Sequence, residues 1–133
     1  MTSPLIATEA RQDVATVVRR VTSLLAERGI TLFATIDHAA GAREAGLDLA
    51  DEVVLIFGSP ATGTPLMQQD PRVGIALPLR LLVWSQDGRT RIGYDDPTAL
   101  AGRYDLDSDQ ILQRMRDLLA GLAAAAAETP AAR

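Results

Sequence analysis

The chain has 133 residues, 47% of them hydrophobic and 23% charged, with a formal net charge of -4 and a pI near 4.9. That balance suits one globular domain with a core of its own and argues against intrinsic disorder. The absence of cysteine removes disulfides, thiolate nucleophiles, iron–sulfur clusters and cysteine zinc sites, and the acidic balance counts against nucleic acid, whose phosphates require clustered cations. All 13 cationic residues are arginine, a side chain suited to bidentate anion contacts and unsuited to proton shuttling. No basic and apolar leader opens the sequence and no apolar run is long enough to cross a bilayer, so the expectation is a cytoplasmic protein with no membrane contact.

In chain order, Leu5-Ile6-Ala7 is a weak strand candidate. Val14, Val17, Val18, Val21, Leu24 and Leu25 then recur at helical spacing between Arg11 and Arg28, which predicts an amphipathic helix ended by Gly29. From Ile30 to Ile36, Ile30, Leu32, Ala34 and Ile36 alternate with Thr31, Phe33 and Thr35, a strand pattern. A helical turn and loop are expected over 39–50. Val53 to Phe57 is a continuous apolar run that predicts a central strand buried on both faces. Thr62 or Thr64 is expected to cap a short helix through Gln69, with Pro65 in its first turn and Pro71 ending it.

Asp87-Gly88 between the apolar runs 79–84 and 90–94 predicts a hairpin. Asp107 and Gln110 have capping-box spacing for a last helix carrying Ile111, Leu112, Met115, Leu118, Leu119 and Leu122. The alanine run 123–127 continues that helix, and 129–133 is expected to fray as a tail beyond a single domain of residues 1–128. The order implies an α+β two-layer sandwich, with a mainly antiparallel sheet and both long helices on one face. The other face then needs solvent or a partner, and a homodimer across it is the expectation.

The least generic residues lie in Asp37-His38 and in the loop from Phe57-Gly58-Ser59-Pro60 to Thr64-Pro65-Leu66-Met67. Together with Ala39-Ala40-Gly41-Ala42, Leu77-Pro78-Leu79, Val83-Trp84 and Tyr94, they resemble in order and spacing the family called domain of unknown function 302. The resemblance spans nearly the whole chain and implies an α+β fold with a strand-helix opening and a terminal helix. It implies a site location but no reaction. Ser59 stands where the family usually has asparagine, and Arg80 where lysine is common.

His38, the single histidine, has the pKa to serve as acid, base or ligand near neutrality. With no second histidine and no cysteine, tetrahedral zinc is a poor fit, and no metal or cofactor is expected, although one histidine suffices for haem iron. The bland alternative is a histidine that closes the strand end by hydrogen bonding. Gly58-Ser59-Pro60 lacks the glycine of an esterase elbow, and Gly58 to Gly63 lacks the lysine of a phosphate-binding loop.

Three functions stay open. The first is a small polar or anionic ligand bound by His38, Ser59, Thr64, Met67 and Tyr94, with Arg80 supplying charge if it points inward. The second is an enzyme with His38 as general acid or base and Tyr94 or Asp37 orienting the substrate or the imidazole. The third is an interaction module using the bare sheet face, with His38 structural and the 58–67 segment merely a tight turn.

Overall fold

The computed structural model describes residues 5–128; the expected tail at 129–133 lies outside them. Five strands, β1 (Leu5–Ala10), β2 (Thr31–Asp37), β3 (Glu52–Gly58), β4 (Leu79–Gln86) and β5 (Arg89–Asp95), form one sheet in the order β1-β5-β4-β3-β2. Every neighbouring pair is antiparallel. The helices are α1 (Val14–Glu27), α2 (His38–Glu44), α3 (Pro60–Gln69) and α4 (Asp109–Ala127), with 3₁₀ turns at Pro71–Ala76 and Pro97–Gly102. This is the α+β architecture implied by the element order.

Helix α1 forms because its apolar residues share one face. Val14, Val17, Val21, Leu24 and Leu25 are all buried. Asp13 caps it by accepting the Thr16 N–H at 2.9 Å, and Gly29, at φ 66°, turns the chain out of it. Helix α4 packs beside α1, burying Leu119, Leu122, Ala123, Ala126 and Ala127 against Leu55, Phe57, Leu81, Val83 and Ile92 of the sheet. A smaller core of Leu66, Val73, Leu100, Leu112 and Met115 lies under α3 and the first half of α4. At Asp87 and Gly88 both φ angles are positive, 55° and 77°, the two-residue turn whose twist matches antiparallel strands.

Two strand expectations are corrected. Alternation along β2 breaks at a bulge between Leu32 and Ala34, where Phe33 is the extra residue. Leu32 therefore stands opposite Phe57 on the helix side, whereas Ala34 and Ile36 stand opposite Ile56 and Val54 on the bare side. Strand β3 is not buried on both faces: Val53, Leu55 and Phe57 are buried, while Val54 and Ile56 are only half covered. The apolar run arises because the bare face is itself apolar.

The helix starts differ as well. Helix α3 begins at Pro60 after Ser59, not at Thr62 or Thr64, and Pro65 lies inside it. Helix α4 begins after Ser108, and neither Ser108 nor Asp107 caps it through its side chain. The Asp107 backbone N–H is instead taken by Gln69, so the capping-box spacing is not used.

Candidate functional site

At the Gly58 end of the sheet, β3 runs through Ser59 into α3. The Ser59 carbonyl accepts the N–H groups of Thr62 and Gly63, each at 3.0 Å. Pro60 takes the first helical position, where an N–H would lack a helical partner in any case. Pro65, inside the helix, has no N–H to give the carbonyl of Ala61.

Between α3 and the first turns of α4 lies a groove of about 1070 Å³. Met67, Leu77, Pro78, Leu79, Ile111 and Met115 give it an apolar lining, and Ser59, Thr62, Thr64 and Ser108 contribute hydroxyls. Asp107, Asp109 and Arg114 bring charges of both signs to it. Gly63 and Gly74 leave room for Met67: a Cβ on Gly74 would already stand 3.4 Å from its sulfur. Phe33, extruded by the β2 bulge and 52% exposed, forms part of the wall beside Gly58.

Two adjacent residues hold the walls together. Gln69, the last residue of α3, accepts the Asp107 N–H at 2.6 Å through Oε1 and donates through Nε2 to the Ser108 hydroxyl. Asp70 is only 4% exposed. Its carboxylate accepts Arg72 Nε and Nη2 at 3.0 and 2.8 Å, the Arg72 backbone N–H at 3.0 Å and the Asp105 backbone N–H at 2.9 Å. The Arg72 side chain, then the Asp105 amide, hold this carboxyl well below the usual carboxylate range. Asp96 is lowered mainly by the Thr98 side chain, in the 3₁₀ turn that leads toward α4.

Of the residues proposed from sequence, the structure brings Ser59, Thr64 and Met67 together along the groove. His38 is elsewhere. Register pairs Thr31 with Gly58 and Asp37 with Val53, so His38 and Ser59 stand at opposite ends of β3. Seven residues at ~3.3 Å each separate them by roughly 20 Å. His38 is exposed at the start of α2, and the Asp37 carboxylate caps that helix by accepting the Ala40 N–H at 2.9 Å. Tyr94 is 7% exposed and packed in the main core, and Arg80 is exposed on the bare face. Neither Tyr94 nor Asp37 is arranged to orient the imidazole, and Arg80 does not line the groove.

Gln69, Asp70 and the α4 residues of the groove are not among the site residues expected from the sequence, where Gln69 only ends a helix and Asp107, Ile111 and Met115 are cap and stripe positions. The Asp70-Pro71 pair did carry a signal, since aspartate before proline is a helix-start pattern. Its long-range bond to Asp105 has no local signature. Among the described residues, no group of three or more His, Asp or Glu side chains is placed to hold a metal ion.

Residues 6–122 match the family model described as "Domain of unknown function DUF302". Two proteins named "Fluoride-specific ion channel FluC 1", from Brucella suis biovar 1 (strain 1330) and Brucella abortus biovar 1 (strain 9-941), are each 39% identical over 116 residues. The matches cover 85% of this chain but 46% and 43% of those proteins, so the chain spans less than half the length of these curated relatives. A crystal structure of an uncharacterized conserved protein DUF302 from Bacillus stearothermophilus has a TM-score of 0.82 at 22% identity, covering 94% of this chain and 99% of that one. At that identity the likeness is one of fold.

Proposed function

The chain belongs to the DUF302 family, and from that premise we propose that it binds a small amphipathic molecule in the groove between α3 and α4. The observation that carries this reading is the groove itself, an apolar lining of 1070 Å³ scale with hydroxyls and a few charges, the usual character of a small-molecule site. The apolar body of the ligand lies along Met67, Pro78, Leu79 and Ile111. Its polar group meets Ser59, Thr64 and Arg114. His38 and Tyr94 take no part, and no reaction is assigned.

A titration with 8-anilinonaphthalene-1-sulfonate, which has apolar rings and an anionic group, tests the reading. Fluorescence should rise on wild type and fall away for Ala61→Trp, which puts an indole into the groove from an exposed position. Equal enhancement in both proteins contradicts it.

A second reading is favoured by the Brucella relatives. No helix among the described residues is long and apolar enough to cross a membrane; in this second reading the described residues serve a fluoride channel as a partner or an attached domain. Fluoride tolerance of cells carrying a channel, with and without this chain, tests that reading. The bare sheet face supports pairing with a second copy, as a homodimer in the cytoplasm.

A further inference from the structure

The outward residues of the bare face fall in rows across the strands: three run over four or five strands, and Gln86 with Arg89 forms a short fourth at the hairpin end. The middle row, Ala7, Gly93, Leu82, Val54 and Ile36, has no charge. One flanking row is Leu5, Asp95, Arg80, Ile56 and Ala34; the other is Glu9, Arg91, Trp84 and Glu52. The Trp84 indole leans over Gly93: a Cβ there would lie 2.9 Å from Cζ3 of the ring. The aromatic ring thus fills the middle of the face. Ile36, in the same row, is 44% exposed. Arg91 Nε is buried with no hydrogen-bond partner, an arrangement that costs free energy unless an acceptor is supplied.

We infer that this face packs on the same face of a second copy about a twofold axis lying across the strands along the middle row, so that Asp95 of each copy meets the partner's Arg91. The inference rests on the homodimer reading and is independent of the groove. The axis exchanges the two flanking rows. Asp95 and Arg91 lie on one strand at equal distances from Gly93, so each is carried over the other and opposite charges meet twice. The two Trp84 indoles approach each other at the axis, the central aromatic position where binding energy concentrates.

An axis along the central strand β4 would set Arg80 against the partner's Arg80, with like charges in register. Under the chosen axis, Glu9 and Glu52 pass over Leu5 and Ile56 at the rim, where their stems cover apolar surface; the Glu9 carboxylate keeps its ion pair to Arg89 at 3.0 Å, and that of Glu52 stays wet. Strand spacing and rise give the face a flat footprint of roughly 500 Å², which side-chain relief raises toward the ~800 Å² per partner of a standard interface.

Sedimentation equilibrium on the full chain tests this with Asp95→Arg, Arg91→Asp and the double swap. Wild type should be a dimer. Each single swap should raise the dissociation constant about a hundredfold by setting like charges together at two symmetric points, and the double swap should return it close to the wild-type value. Ile36→Arg, at an exposed position that one copy tolerates, should give a monomer with unchanged circular dichroism, and it keeps the test decisive if a swap unfolds the chain. A monomeric wild type overturns the homodimer reading itself. A dimer unmoved by Ile36→Arg overturns the choice of face, and a dimer broken by Ile36→Arg whose double swap brings no recovery overturns the axis.

Discussion

The Gln69 carboxamide accepts the Asp107 backbone N–H at 2.6 Å, joining the last residue of α3 to the residue two positions before α4 across 38 positions of sequence. Because α3 and α4 are the two walls of the groove, this bond and its companion to Ser108 set the width of the site. Asp70 repeats the attachment one residue on, through the Asp105 amide.

Gln69→Ala removes both contacts from an exposed side chain. A loss of about 1–2 kcal/mol in urea unfolding is expected, the scale of two partly solvated hydrogen bonds. Amide hydrogen exchange at Asp107 should quicken while exchange in the centre of the sheet does not.

Asp70 gives the fold a dependence on acid. Its native carboxyl titrates below the ordinary value of 3.8, chiefly because of Arg72, so the unfolded chain binds the more protons as pH falls. The contribution is complete above about pH 4 and is lost as pH drops further. Asp13 and Asp96 are lowered as well, by the hydroxyls of Thr16 and Thr98 first, and act in the same direction. Urea midpoints measured from pH 5 down to pH 2 should therefore fall, and Asp70→Asn should be less stable at pH 5 with a shallower decline. An equal decline in both proteins would remove Asp70 from the account.

Gly93→Ala should cost about 1–3 kcal/mol, the range for a methyl forced into a filled space, because the new Cβ would stand 2.9 Å from the Trp84 ring. In a Trp84→Leu background the penalty should shrink. A double-mutant cycle in urea reads the difference.

His38→Ala should leave stability within about 0.5 kcal/mol of wild type, as for an exposed residue away from special contacts. Dye binding in the groove should be unchanged as well. Loss of binding on this substitution would return the histidine to the site.

Much of this architecture could be read from local pattern. The α1 stripe, the Asp87-Gly88 hairpin and the α4 leucines are set by period and turn chemistry, and each element appears where those signals fall. The β2 bulge could not be read, because one extra residue at Phe33 reverses every side chain after it without changing the apolar pattern. The chain after the β3 strand end was legible as a segment of special residues, but Thr64 and Met67 lie within helix α3 and only Ser59 precedes it. Grouping His38 with Ser59 needs the ends of β2 and β3 that carry them to be neighbours, and antiparallel pairing of β2 with β3 sends those ends to opposite ends of the sheet. Tyr94 was an apolar strand position, and alternation along β5 directs it under the helices. The Gln69 and Asp70 contacts join segments more than 30 residues apart, a relation that only the folded chain exhibits.

The most direct test of the central claim is native mass spectrometry of gently purified wild type beside Ala61→Trp and His38→Ala. A small molecule retained by wild type and His38→Ala but absent from folded Ala61→Trp is the predicted result. A molecule that persists on Ala61→Trp and disappears from His38→Ala would contradict the assignment of the groove.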